Sequence, residues 1–395
     1  MKRIVTFFAA LALPATGLAQ GAPPDYETAL GAFRQAAQDE QVAGGAVWLI
    51  RDGEILARDH FGMADVEASQ PADDETIYHW ASITKTFTAI ALMQLVERGM
   101  VSLDDPVVKH VPAFAQAHNP YGDIADVTVG HLLGHTSGLR EGTWPWNADG
   151  QRERPDWQVL EPPGWEQLQA MFPYTGLQYA PGTAYSYSNP GSTLMGKVVE
   201  RVTGDDIEVY VDKNILKPLG MYRTYFDLTP WHLRGYRSNS YRLQKGRLVA
   251  LGREFDTGVT SGNGGLNAPL GDMKLYLDFL LNVGDNANYD TILPRETLKR
   301  MWQPTFKTGY DPRVTEWMAQ TFFVIDAENT SGESRRYVGH TGSQQGFRSF
   351  FYIDPASGSA VMMVVNTTND DPRPLLYDFR EALLERVFPR LAGGD

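Results

Sequence analysis

The chain contains no cysteine. Disulfides are therefore excluded, as is a lipid carried on a cysteine at an export cleavage site, and stability must come from the core. Beyond the first residues no segment is apolar enough to cross a membrane, and no internal repeat or low-complexity tract occurs. No Gly-x-Ser-x-Gly is present, which removes the nucleophile elbow of α/β-hydrolases. Gly262-Asn263-Gly264-Gly265 lacks the GxGxxG spacing and reads as a turn lining a cleft rather than a phosphate cradle. Positive charge is scarce: 35 basic side chains stand against 48 acidic ones, a formal charge of −13. That balance argues against nucleic acid or an anionic membrane surface as a partner.

What is present begins with a leader. Lys2 and Arg3 precede an apolar run over 4–13, and Gly17-Leu18-Ala19 places small residues at the −3 and −1 positions of a cleavage site. This pattern reads as a secretory signal peptide over 1–19, cut after Ala19. The run is shorter than the roughly 20 residues that span a bilayer, so no stable membrane insertion is expected after cleavage. The expected location is periplasmic or secreted.

The sequence then predicts elements. A short amphipathic helix covers 26–40. Apolar runs at 45–50 and 55–61 flank Asp52-Gly53, a hairpin signal. A second hairpin joins 347–353 to 360–365, and a helix over 375–388 closes the chain. Strands at both ends with helices between them indicate an α+β fold, one antiparallel sheet built from both termini and flanked by helices. The expected division is a sheet domain over 20–81 and 255–395 and an inserted helical domain over 82–254. Within the middle, 84–100 is apolar on almost every face and so reads as a buried helix. Further helices are expected over 128–133, over 192–202 with Gly204 as its stop, and over 272–281 with Asp272 as N-cap. Residues 140–181 hold Trp144, Trp146, Trp157 and Trp165. They read equally as a surface loop or as a wall over an active site.

The chemistry centres on Ser82-Ile83-Thr84-Lys85. Positions i and i+3 share a helix face, so the Lys85 amine reaches the Ser82 hydroxyl. Serine is a poor nucleophile until a base takes its proton, and a desolvated lysine can be that base. A capping serine with a solvated lysine would look the same, but the apolar neighbours leave little polar face for Lys85. Tyr187-Ser188-Asn189 adds a phenol that can carry a proton to a leaving group and an amide that can hold a carbonyl. His340-Thr341-Gly342-Ser343 precedes a strand; a glycine there lets substrate approach the backbone. A nearby N–H can join that of Ser82 as an oxyanion hole. His131 and His135 stand at i, i+4, a spacing that binds zinc on a helix, but no glutamate follows His131 and no metal is expected.

At these residues the chain resembles the serine β-lactamase-related family: class C β-lactamases, D-Ala-D-Ala carboxypeptidases, D-aminopeptidases and family VIII esterases. The stretch Val127 through Leu139, Pro181-Gly182-Thr183, Pro218-Leu219-Gly220-Met221 and Gly264-Gly265-Leu266 are similar to that group, in its order. The resemblance implies a β-lactamase/transpeptidase-like fold, an acyl-enzyme on Ser82, and Lys85 as base or base partner. Tyr187 would protonate the leaving group or act as base itself. Asn189, His340, Thr341, Gly342 and Ser343 would bind substrate, and the Ser82 and Ser343 N–H groups would form the oxyanion hole. No cofactor is implied. Which group is the base stays open: a lysine of pKa ~10.4 is neutral in only about 1 copy in 2,500 at pH 7, and lowering it by ~3 units requires roughly 4 kcal/mol.

The departure is His340, where β-lactamases usually carry lysine. Histidine is largely neutral at pH 7 and offers no fixed charge to a carboxylate. Arg348 is a second candidate for that charge, of undetermined direction. The expected partner is a small ester, amide or peptide, and the expected protein is an exported esterase- or β-lactamase-like serine hydrolase. The alternatives are a D-amino-acid peptidase or D-Ala-D-Ala carboxypeptidase, and a slowly acylating penicillin-binding or sensor protein.

Overall fold

The computed structural model describes residues 21–140, 164–310, 313–328, 334–369 and 373–393. The leader, Trp144, Trp146 and Trp157 lie outside the described residues. Six strands carry the argument: β1 Gly44–Arg51, β2 Glu54–Asp65, β3 Phe323–Glu328, β4 Ser334–Gln344, β5 Phe347–Asp354 and β6 Ser359–Val365. They form the middle of an antiparallel sheet in the order β2-β1-β6-β5-β4-β3, with short strands at both edges. The N-terminal hairpin thus lies against the C-terminal one, Gly45 opposite Val365 and Arg51 opposite Ser359. The α+β arrangement expected from strands at both termini is present.

Alternation explains why these strands read as unbroken apolar runs. Successive side chains of a strand point to opposite faces. In β1, Ala46, Trp48 and Ile50 join one core, while Val47 and Leu49 join another. In β6, Met362 and Val364 face the first core, and Met363 and Val365 the second. Both faces of the sheet are covered, unlike the many antiparallel sheets with one wet face. The second core is closed by α1, Pro24–Asp39, through Tyr26, Leu30 and Phe33, and by the C-terminal helical stretch through Leu375, Phe379 and Leu383.

The first core is closed by α2, Thr84–Glu97, and α3, Asn189–Thr203. Every residue of α2 from Thr84 to Leu95 is buried. Its hydroxyls bond locally or to neighbours: Thr86 Oγ1 donates to Ile83 O at 2.8 Å and Thr88 Oγ1 to Gly262 O at 2.7 Å. α3 ends where glycine was expected to end it, at Gly204 with φ +79°.

Several boundaries differ from expectation. α2 stops at Glu97 rather than 100, and α3 begins at Asn189 rather than 192. The helix α4, Leu270–Leu281, starts after Pro269, so Asp272 lies in its first turn instead of capping it. The Asp272 carboxyl instead accepts from Arg223 N–H (2.9 Å) and Thr224 Oγ1 (2.8 Å). The middle of the chain is also not wholly helical. Ser240–Gln244 pairs with Arg247–Gly252 on one side and Thr367–Thr368 on the other, and Leu266–Pro269 pairs with Ile77–His79 and Tyr225–Phe226.

Candidate active site

Ser82 sits in a 3₁₀ turn, Ala81–Ile83, that leads into α2. Ala81 has φ +51°, a left-handed conformation that costs a non-glycine residue about 1 kcal/mol or more. The surroundings hold it there. Trp80 N–H donates to Leu266 O and its indole Nε1 to Ala268 O, both at 2.9 Å, and Thr84 Oγ1 donates to Ala81 O at 2.6 Å. The Lys85 side chain, 1% exposed, rises from the first turn of α2. Its Nζ donates to Ser82 Oγ at 3.0 Å and to Asn263 O at 2.9 Å.

Tyr187 lies beside this pair. Lys85 Nζ is 5.2 Å from the centre of the phenol ring. One face of the ring stacks on His135 at 4.7 Å and 17°, and Phe323 lies near-parallel to it at 6.4 Å. Ser188 caps α3 by accepting from Gly191 N–H at 2.9 Å, which fixes where the loop carrying Tyr187 meets the helix. Asn189 is the first residue of α3, and its carbonyl accepts from Asn263 Nδ2 at 3.1 Å. Asn263 Nδ2 also donates to Thr193 Oγ1 at 2.7 Å. Asn263 therefore joins Lys85 to α3 through its main chain and side chain together. The sequence reading took it for a turn residue; nothing local marks it, because its partners are far away in sequence.

The strand β4 forms the other wall. His340 pairs with Phe351 and Gly342 with Ser349, on the sheet face that meets α2; Thr341 and Ser343 fall on the opposite face by alternation. A Cβ on Gly342 would sit 2.3 Å from Trp80 O and 2.5 Å from Ser349 Oγ. Only glycine lets β4 close on the turn that carries Ser82. β3 pairs with β4 no further than Gly339, so 340–344 has a strand partner on the β5 side alone among the described residues. Ser343 is exposed on this stretch. Next to it, the Gln344 side-chain amide meets His79 Nε2 at 3.2 Å, and His79 Nδ1 meets Asn267 Oδ1 at 2.9 Å.

His340 is wholly buried, with Nδ1 donating to Thr341 O at 2.6 Å. Burial, helped by the nearby Lys85 charge, pushes its imidazole down to about 3. His135 is pushed down to about 3 for the same reasons, with His340 adding to the effect. Both rings are neutral at neutral pH, and His340 brings no fixed positive charge. Arg348 brings none either: it follows Phe347 and precedes Ser349 on β5, so it faces the second core, and it bonds Asn369. Trp165 packs on Phe172 at 5.8 Å under Lys197 and belongs to the rim of the first core.

The histidine pair at 131 and 135 does not share a helix face. The short helix ends at Leu133, and His135 turns away with φ +53°. His131 completes a capping box with Thr128, accepting its N–H at 3.2 Å. His135 instead accepts from Ser188 N–H at 3.1 Å. Among the described residues no group of three His, Asp or Glu is placed to hold a metal.

A protein-family model described as Beta-lactamase matches residues 31–385. The chain belongs to the β-lactamase family. Esterase EstB of Burkholderia gladioli is 28% identical over 381 residues, covering 90% of this chain and 94% of that protein. Protein flp of Staphylococcus aureus (strain MW2) is 24% identical over 333 residues; they make up 84% of this chain but 61% of that protein. Among solved structures, the octameric penicillin-binding protein homologue from Pyrococcus abyssi superposes with a TM-score of 0.75 at 29% identity, over 91% of this chain and 76% of that one. A class C β-lactamase superposes with a TM-score of 0.71 at 20% identity, over 92% and 96%. This member of the β-lactamase family is a hydrolase with the fold of that group.

Proposed function

We propose that this β-lactamase-family hydrolase is an exported serine esterase or amidase that works through an acyl-enzyme on Ser82. The observation that carries the reading is the buried Lys85 amine, 3.0 Å from Ser82 Oγ and beside the Tyr187 ring. Ser82 Oγ attacks the carbonyl carbon of a small ester or amide while its proton passes to the Lys85–Tyr187 pair. The Ser82 and Ser343 N–H groups hold the oxyanion. As the tetrahedral intermediate collapses, the carbonyl–heteroatom bond breaks and Tyr187 protonates the departing alkoxide or amine. Asn189 holds the acyl side, and Thr341 and Gly342 give the strand edge along which it lies. Water then attacks the acyl carbon, its proton returns through the same pair, and the acid leaves. No step needs a metal or a cofactor.

The buried, neutral His340 and the likeness to Esterase EstB both favour esters and uncharged amides over substrates that need a cation for their carboxylate. The likeness to a penicillin-binding protein homologue supports a second reading, a D-amino-acid peptidase or carboxypeptidase, or a protein that acylates slowly. The test is a panel of a nitrophenyl ester, a D-Ala-D-Ala peptide and nitrocefin, each followed by turnover and intact mass. Ester turnover that exceeds the others supports the first reading. Faster peptide cleavage, or a stable adduct without turnover, replaces it with the second.

A further inference from the structure

His135 touches three consecutive residues of the loop that carries Tyr187. Its carbonyl accepts from Ser186 N–H at 3.0 Å. Its Nδ1 accepts from Ser188 N–H at 3.1 Å. Between these two bonds its ring lies flat on the Tyr187 ring, 4.7 Å away and tilted by 17°. The residues before and after the tyrosine are thus pinned to the same side chain that supports its face. The Tyr179 hydroxyl also reaches the His135 carbonyl, at 3.4 Å.

Two further features show that this arrangement is specific. The His135 backbone is left-handed, φ +53°, a sparsely populated conformation for a residue with a side chain. It directs the ring at the tyrosine instead of continuing the short helix that ends at Leu133. Then there is the proton. An Nδ1 that accepts an N–H carries no proton, so the ring is the Nε2–H tautomer. Nε2 is buried and makes no hydrogen bond among the described residues. The titratable groups around the ring are Lys85, His340, Tyr187 and, edge-on at 6.4 Å, Tyr185.

We propose that His135 is a positioning residue for Tyr187: it fixes the plane and reach of the phenol while keeping a neutral surface against its face. A neutral ring with its lone pair already engaged cannot take the proton of the phenol. Proton exchange is thereby confined to Ser82, Lys85 and Tyr187. This rests on the proposed role of Tyr187 in the reaction, and it adds a residue that touches neither substrate nor the reacting atoms.

Two variants separate the parts. His135→Asn tolerates the left-handed backbone but removes the ring; His135→Phe keeps a ring and removes the acceptor. For each, kcat, KM and the pH–rate profile are measured on a nitrophenyl ester, together with Tm. The Tyr187 phenol is titrated by ultraviolet difference against the same protein carrying Tyr187→Phe. Misplacing a proton-transfer group by an ångström is expected to lower kcat roughly tenfold or more. KM should stay within about threefold, and both the kinetic limb and the phenol titration should move by roughly half a pH unit or more. A limb and a phenol titration that stay in place overturn the proposal, whatever happens to Tm. Should neither variant fold, ¹⁵N spectra of the histidines in the unmutated protein decide. The expected result is an Nε2–H tautomer that does not titrate between pH 5 and 9; the other tautomer, or titration in that range, overturns the proposal. Turnover that survives Ser82→Ala would defeat the proposed function instead, and the phenol titration and tautomer readouts do not depend on it.

Discussion

At the residue scale, Lys85 is the junction of the site. Its amine donates to Ser82 Oγ, the proposed nucleophile, and to Asn263 O. The first contact was legible in the sequence because three residues on a helix make less than one turn. The second was not, because 178 residues separate the partners, and Asn263, expected in a turn, lies in the short helix Ser261–Gly264, whose glycine-rich sequence shows no periodicity. The contact of His135 with Ser188 was hidden for the same reason, the two being 53 residues apart. Lys85→Met keeps the stem and removes the amine. It leaves Asn263 O without its donor and Ser82 without its proton relay. The expected loss in kcat is roughly 10²–10⁴-fold, the usual worth of general acid–base catalysis. Steady-state ester hydrolysis checks it, and kcat within a few-fold of the unmutated protein would remove Lys85 from the mechanism.

At the element scale, the site depends on how closely β4 meets the turn holding Ser82. Gly342 allows that approach, and Ser349 Oγ donates to Trp80 O at 3.1 Å across it. Gly342→Ala places a methyl where two oxygens already are, so strand and turn must separate. Since Trp80 and Ala81 lead directly into Ser82, the shift reaches the proposed nucleophile and oxyanion donors. The expected outcome is a fall in kcat of about 10²-fold with a folded protein by circular dichroism; unchanged kcat would show that the two walls need not meet so closely. The hairpins at Asp52-Gly53 and around 354–358 were readable because turn residues sit between apolar runs. The pairing of 240–244 with 247–252 was not. Tyr241 and Leu243 do alternate with exposed Arg242 and Gln244, but exposed Val249 and Ala250 break the alternation in the partner run. Asp272 misled in a different way: an acid near a helix start looks like a cap, but its bonds go to Arg223 and Thr224.

At the scale of the whole molecule, a sheet covered on both faces hides polar groups as well as apolar ones. His79, His135 and His340 are all buried, and desolvation lowers their pKa values to about 4, about 3 and about 3. Unfolded, each titrates near ~6.5. Between those values the unfolded chain binds the extra protons, so their contribution to stability is intact above ~6.5 and is lost as pH falls. Some carboxyls work the other way: burial raises Asp227 to about 7 and also raises Asp272 and Asp278, so acid favours the fold at those groups. The three fully buried imidazoles predict a stability that falls as pH drops from ~6.5 towards 5. Urea midpoints at pH 7.5, 6 and 5 measure it; a midpoint that holds or rises towards pH 5 would contradict the burial of these rings. The overall architecture was legible from strands at both ends of the chain, since those strands had to pair to bury two faces each. The pairing of Asn263 with α3, the Tyr187–His135 stack and the turning of Arg348 to the far face appear only once the sheet is assembled.

The central claim is that Ser82 carries the acyl group. The direct measurement is acid-quenched intact mass of the protein mixed with a nitrophenyl ester, with the modified peptide mapped and Ser82→Ala run alongside. The expected result is a mass increase of one acyl group, on the peptide containing Ser82 and absent from Ser82→Ala, whose turnover falls to background. An adduct on another residue, or turnover that persists in Ser82→Ala, would contradict it.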